Sequence, residues 1–196
     1  GEQSHSKTYS ATAIGIAYTQ GKLSLDERLI DIFPEEASEN PSEYLKKLTI
    51  RNVLCMGSGM REEPKASEHW IRDFLSMPVV DEPGTAFMYN TTGSSMLAAI
   101  VKKKTGMGMH EFLMENLYQK IGIDGANHKW IRTSDGIEAG GAGLFATLED
   151  NFRLMKLYMN GGIWNGERIL AEDFVRAAVS KQIDTASEAK VNPPAT

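Results

Sequence analysis

The apolar positions of this chain recur mostly at helical spacing, and the order of those stretches outlines the fold. Residues 8–18, Thr-Tyr-Ser-Ala-Thr-Ala-Ile-Gly-Ile-Ala-Tyr, are small and apolar almost all round. A helix of that kind has no polar face to give to water and belongs in a core. Gly21 predicts its stop, because glycine takes the left-handed conformation of a helix end without strain. Ser24 and Glu27 have capping-box spacing and predict a short helix ending before Pro34. Thr49 predicts the cap of a helix through Ile50, Val53 and Leu54, broken at Gly57-Ser58-Gly59. Trp70, Ile71, Phe74 and Leu75 mark a helix ending before Pro78. Met96, Leu97, Ile100 and Val101 form one stripe over 94–104, closed by Gly106, and Phe112, Leu113, Leu117 and Ile121 form another, ending at Gly122. The Gly-rich stretch 134–143 reads as loop, Leu148–Met159 as a helix closed by Gly161-Gly162, and Leu170–Val179 as the last helix. Strand alternation is almost missing, so the expected class is mainly α. Residues 1–181 read as one helical unit, and 182–196 as a polar tail or linker expected to be disordered.

Composition removes several function classes. The 196 residues carry 21 Lys plus Arg against 26 Asp plus Glu, a net charge of -5. That acidic balance argues against a nucleic-acid partner, whose binding surface shows a clustered basic excess. The compact basic run, Lys102-Lys103-Lys104, reads as a solvated helix end. One cysteine, Cys55, excludes an internal disulfide framework and a Cys-based zinc site. It lies on an apolar helix and is expected to be buried rather than reactive. No apolar run approaches the roughly 18 residues of a membrane span. The first residues lack a signal peptide's profile. One cysteine fits cytoplasm and export alike, so the compartment stays open. His69, His110 and His128 sit in polar company, and no H-x-x-x-H spacing joins them. No metal or other cofactor is expected. Trp130 and Trp164 read as packing or cleft-wall residues.

Candidate chemistry begins at Ser4-His5-Ser6-Lys7, which spells S-x-x-K. Residues three apart on a helix share a face, so the lysine nitrogen can reach the serine hydroxyl. A serine at a helix start also offers its backbone N–H to an oxyanion. The spacing is cheap: fourteen serines and thirteen lysines make about one match expected by chance. A second match, Ser187-Glu188-Ala189-Lys190, lies in the polar tail. Context separates the two, because Ser4 alone leads into an apolar helix. His5 follows it and is expected at a cleft mouth.

Taken in order, several segments are together specific. Ser4-x-x-Lys7 is followed by Thr12-Ala13-Ile14-Gly15-Ile16-Ala17 and Gly21-Lys22-Leu23-Ser24-Leu25-Asp26. Then come Leu48-Thr49-Ile50-Arg51-Asn52-Val53-Leu54 with Ser58-Gly59-Met60, and Pro83-Gly84-Thr85 with Phe87 and Tyr89-Asn90-Thr91-Thr92-Gly93. Gly140-Gly141-Ala142-Gly143-Leu144-Phe145-Ala146-Thr147-Leu148-Glu149-Asp150 and Asn160-Gly161-Gly162 close the series. Over about residues 4–180 the chain resembles the class C β-lactamase-related serine hydrolases. That family includes β-lactamases, D,D-peptidases, esterases and amide hydrolases. The resemblance implies an acyl-enzyme on Ser4, with Lys7 as proton partner and Tyr89 as the phenol of a Y-x-N element. Tyr89-Asn90-Thr91 puts Thr91 where the family usually has Asn, so Thr91, or Asn90 in its place, is the expected substrate contact. Lys104-Thr105-Gly106 matches the family's K-T-G literally, but it closes a helical stripe and reads as a helix stop. Ser134-Asp135-Gly136 likewise matches S-D-N only by accident.

Magnitudes explain why a lysine and a tyrosine would be needed together. An ordinary lysine, pKa about 10.4, is neutral in roughly one molecule in 2,500 at pH 7, a cost of about 4.6 kcal/mol. A serine hydroxyl is a poorer acid still and needs a base held at hydrogen-bond distance. Placing lysine beside tyrosine couples their protons and brings one into service. Which of the two accepts the serine proton is open at this stage.

The resemblance also implies an antiparallel sheet, built from strands before the nucleophile helix and after the last helix. The expected fold is therefore the helical subdomain of the β-lactamase/transpeptidase-like α+β fold, with the flanking sheet largely absent. The third motif, H-x-G or K-T-G, is expected beyond residue 196, with the second oxyanion donor. Loss of one such donor typically costs 10² to 10³ in rate. The chain is thus expected to be a nearly inactive fragment of a hydrolase for small-molecule or short-peptide substrates. The alternative is a non-catalytic binding or scaffold module with the same fold, and self-association through an exposed core face is a third possibility.

Overall fold

A computed structural model describes residues 3–187 of the chain. Its first helix, α1 (Ser6–Thr19), is the one expected over 8–18 and runs through the core. Tyr9, Ala13, Ile14 and Ala17 are fully buried on it. Small residues let neighbours approach closely: a side-chain carbon on Gly15 would lie 2.3 Å from the Phe174 ring. Gly21 follows at φ +70°.

The next short helix, α2 (Leu29–Ile32), begins later than the Ser24–Glu27 box predicts. Glu27 does accept the Ser24 N–H, at 2.8 Å, but its other oxygen takes the Lys104 ammonium at 2.6 Å. That pairing holds residues 25–26 as a turn and gives the end of the basic run a partner. In α3 (Ile50–Leu54) the expected Thr49 cap is a full capping box with Asn52, a device typically worth about 1 kcal/mol. Two longer pieces follow, α4 (Trp70–Ser76) and α5 (Thr91–Thr105). α5 is buried from Gly93 through Val101 and ends on Gly106 at φ +77°. It packs along α1, with α3 and α4 also against it. Lys104-Thr105-Gly106 is therefore a helix end, as expected.

α6 (Met109–Leu113) packs on α5 as well and continues through a π-helical turn (Met114–Tyr118) into α7 (Gln119–Ile121). α8 (Leu148–Met159) opens on a second capping box, Thr147 with Asp150, and α9 (Glu172–Ala178) sets Phe174 on α1. Sequence alternation did not reveal four two-residue strands. β1 (Lys129–Trp130) pairs antiparallel with β2 (Leu144–Phe145), Lys129 opposite Phe145. β3 (Ile163–Trp164) pairs with β4 (Glu167–Arg168). Two residues are too few to show a period. The second hairpin does carry a local signal, Asn165-Gly166 at φ +48° and +82°, the dipeptide of a tight hairpin turn.

The polar surroundings of His128 in sequence did not foretell its burial. Its side chain lies in the core, with Nε2 3.1 Å from Asp150 Oδ2 and its ring 4.6 Å from that of Tyr118. In contrast, Leu148, Phe152, Met155 and Met159, all on one side of α8 at helical spacing, are exposed, Met159 by 79%. Of the tail expected over 182–196, Thr185–Ser187 forms a short 3-10 turn, and 188–196, with Lys190 of the second S-x-x-K, lies outside the described residues. Among the described residues no helix is long and apolar enough to cross a membrane, and no cluster of three metal-ligating side chains occurs.

Candidate active site

Ser4 lies in the turn immediately before α1, where the Lys7 N–H donates to its carbonyl at 3.1 Å. One helical turn then puts the two side chains together, and Lys7 Nζ is 3.1 Å from Ser4 Oγ. The same ammonium donates to the Gly141 carbonyl at 2.6 Å. Neighbouring α1 residues hold the rest of that glycine-rich loop. Ser10 Oγ donates to the Gly140 carbonyl at 2.7 Å, and Ser6 Oγ accepts the Leu144 N–H at 3.1 Å.

The paired glycines follow from the space available. A side-chain carbon on Gly140 would lie 2.7 Å from the Ser94 carbonyl oxygen, and one on Gly141 2.5 Å from that of Thr91. The loop threads between α1 and α5 because it carries no side chains there. Gly141 is thus fixed by α5 on one side and offers its carbonyl to Lys7 on the other.

Tyr89 arrives from the segment before α5. Lys7 Nζ stands 4.8 Å from its ring centroid. Burial pushes the phenol's pKa up, but the neighbouring Ser4 hydroxyl and the Lys7 ammonium outweigh it, so the phenol sits below its ordinary value. Glu63 opposes the shift weakly by its negative charge. Ser4, Lys7 and Tyr89 therefore meet, and Ser4 and Tyr89 remain exposed at the surface.

Asn90 and Thr91 are placed differently. Asn90 is buried and turned inward, its Oδ1 accepting the Gly93 N–H at 2.6 Å as the cap of α5. It is not among the groups brought to Ser4. Thr91 is half-buried, with its N–H on Glu63 Oε1 at 2.9 Å and its methyl beside Gly141. Glu63 was not singled out in the sequence, where it is one acid among several in a polar loop. His5 lies with Lys7 at one end of an open groove of about 440 Å³ between α1, α8 and α9, whose apolar wall includes Met155, Tyr158 and Val179. Cys55 is half-buried, and burial pushes its thiol pKa up, away from the thiolate that reactivity needs.

Residues 3–191 match the β-lactamase family. Among solved structures, a provisionally named β-lactamase from Bacteroides dorei DSM 17855 superposes with a TM-score of 0.74 at 20% identity, over 93% of this chain and 58% of its own. A provisionally named 6-aminohexanoate-dimer hydrolase from Bacillus anthracis gives 0.74 at 22% identity, over 90% and 52%. An octameric penicillin-binding protein homologue from Pyrococcus abyssi gives 0.68 at 19% identity, over 90% and 47%. At these identities the likeness establishes the fold. The chain spans about half the length of these structures.

Proposed function

The chain belongs to the β-lactamase family, and on that premise we propose that it carries the nucleophile of a serine hydrolase acting on ester or amide bonds. The observation that carries this reading is one lysine nitrogen, 3.1 Å from a serine hydroxyl at the start of α1 and 4.8 Å from the ring of Tyr89. Ser4 Oγ attacks the substrate carbonyl carbon, and the π electrons move to the carbonyl oxygen. The Lys7–Tyr89 pair reacts in the form that has already given one proton to solvent, so that it has one vacant site and takes the hydroxyl proton as a unit. Collapse of the tetrahedral intermediate breaks the bond to the alcohol or amine, which leaves with that proton. Water then repeats the sequence on the acyl-enzyme and restores Ser4. The Gly141 carbonyl orients Lys7, and Thr91 is the substrate contact of the Tyr89-Asn90-Thr91 element. Asn90 serves by capping.

The names of the matched structures support small lactam, peptide or oligomeric amide substrates. Their greater length supports slow turnover by this chain alone, with further parts of the pocket supplied by additional sequence. The test is incubation with a fluorophosphonate followed by peptide mass spectrometry. A single adduct on Ser4, lost in Ser4→Ala, is expected. An unlabelled Ser4 favours the alternative, a binding or scaffold module. Rapid turnover of a chromogenic ester or cephalosporin, lost in Ser4→Ala, overturns the slow-turnover reading.

A second reading concerns assembly. Four large apolar side chains of α8 are exposed along one stripe, the kind of contiguous patch that can mark an interaction site, and the octameric homologue supports self-association. Light scattering over a dilution series tests it, and a concentration-independent monomer counts against it.

A further inference from the structure

Tyr89 reaches Ser4 from a separate part of the chain, and two anchors hold the segment that carries it. On one side Met88 is buried, with its N–H on the Met56 carbonyl at 2.9 Å. On the other, α5 begins with three backbone N–H groups that have no partner within the helix. Glu63 takes two of them: Oε1 accepts the Thr91 N–H at 2.9 Å and Oε2 the Thr92 N–H at 2.7 Å. Oε2 also accepts the Thr92 hydroxyl at 2.8 Å. The third N–H, of Gly93, goes to Asn90. A carboxylate here gains twice, through charge-assisted hydrogen bonds and through the positive end of a 15-residue helix.

We propose that Glu63 is a positioning residue for Tyr89: by tying both first N–H groups of α5 to one carboxylate, it holds the phenol against Ser4 and Lys7. The inference rests on the reading of Tyr89 as a catalytic group. It assigns Glu63 no contact with substrate. Without the clamp, the turn after Tyr89 loses three of its bonds and the ring leaves its partners.

The sign of one titration separates positioning from a simple charge effect. The charged and titratable groups facing the phenol are Lys7 and Glu63, with the Ser4 hydroxyl. Ser4 and Lys7 beside it lower its pKa, and each outweighs the Glu63 charge that raises it. If Glu63 positions Tyr89, Glu63→Ala loses the lowering contacts and the ionisation midpoint rises toward the ordinary phenol value of about 10. If Glu63 acts by charge alone, removing it lets the midpoint fall further. Glu63→Asp keeps the charge but is one methylene short of spanning both N–H groups, so positioning predicts a rise there too.

The experiment is carbon-detected NMR of the 196-residue chain with labelled tyrosine, Tyr89 being assigned by its loss in Tyr89→Phe. Hydrogen exchange of the Thr91 and Thr92 amides is followed in parallel. A raised midpoint in Glu63→Asp, and in Glu63→Ala where that variant folds, with amide exchange at least tenfold faster, supports the proposal. An unchanged or lowered midpoint in Glu63→Asp overturns it. The titration needs no turnover, so this result is independent of whether Ser4 takes a fluorophosphonate.

Discussion

Lys7 Nζ donates a 2.6 Å hydrogen bond to the carbonyl of Gly141, a residue 134 positions away. The ammonium is thereby fixed between a backbone oxygen and the serine hydroxyl. A lysine left in solvent would sample many rotamers and spend little time at the 3.1 Å contact with Ser4. On the proposed reading, this carbonyl is what holds a long, flexible side chain in place as a proton partner.

Lys7→Met removes the base contact while keeping a side chain of similar length. Fluorophosphonate labelling of Ser4 is expected to slow by at least about 10²-fold, the low end for removal of a general base. The Tyr89 phenol also loses the hydrogen bond and the charge that Lys7 supplies, so its ionisation midpoint rises. A variant that labels at the original rate refutes the assignment.

Gly141→Ala tests the threading of the loop. The added carbon would meet the Thr91 carbonyl oxygen at 2.5 Å and its methyl at 2.6 Å, and both belong to the rigid start of α5. Overpacking of this kind costs about 1–3 kcal/mol. Urea melts should show that loss, and Ser4 labelling should fall with it because the Gly141 carbonyl moves off Lys7.

Asp150 gives a pH-dependent stability. Burial pushes its pKa up, but the Thr147 side-chain and backbone bonds and then His128 outweigh it and hold the carboxyl below its ordinary value. A depressed carboxyl contributes stability above its unfolded pKa, about 3.9, and loses it as pH falls through the folded value. Asp150→Ala is expected to cost about 1–2 kcal/mol at pH 7 by loss of the cap and of the His128 partner. Denaturant melts at pH 7, 5, 4 and 3 should show the gap intact at pH 5 and closing below pH 4. A gap that stays constant down to pH 3 refutes the carboxylate's role.

Cys55 should be a slow thiol. Its raised pKa leaves less thiolate at neutral pH than an unfolded cysteine has. Reaction with a disulfide reagent at pH 7.5 is expected to be at least about tenfold slower in the native chain than in urea. Equal rates would show that burial does not protect the sulfur.

The parts of this molecule legible in its sequence are those fixed by local pattern. α1 shows itself by apolar residues on every side, α3 by its capping threonine, and α5, α7 and α8 by the glycines that follow them. The S-x-x-K spacing foretold that Lys7 and Ser4 share a face, since one helical turn decides it. Tyr89 emerged only through resemblance, because no spacing rule links it to Ser4. Glu63 was invisible for the same reason in stronger form. Its partners lie 28 and 29 positions away, and two of the three are backbone groups, which almost any sequence would offer. The burial of His128 was not legible because its neighbours in sequence are polar while its neighbours in space are Tyr9, Tyr118 and Asp150.

Ser4 and Lys7, Tyr89, and the Gly141 carbonyl come from three stretches of chain that meet only when α1, α5 and the loop between them have docked. Denaturing the protein separates all three at once. A serine that owes its nucleophilicity to such a meeting behaves in urea like any other hydroxyl. If Ser4 is the nucleophile proposed, the rate of adduct formation at Ser4 across a denaturant series follows the native fraction. A reactive centre of that kind would double as a covalent gauge of the folded population.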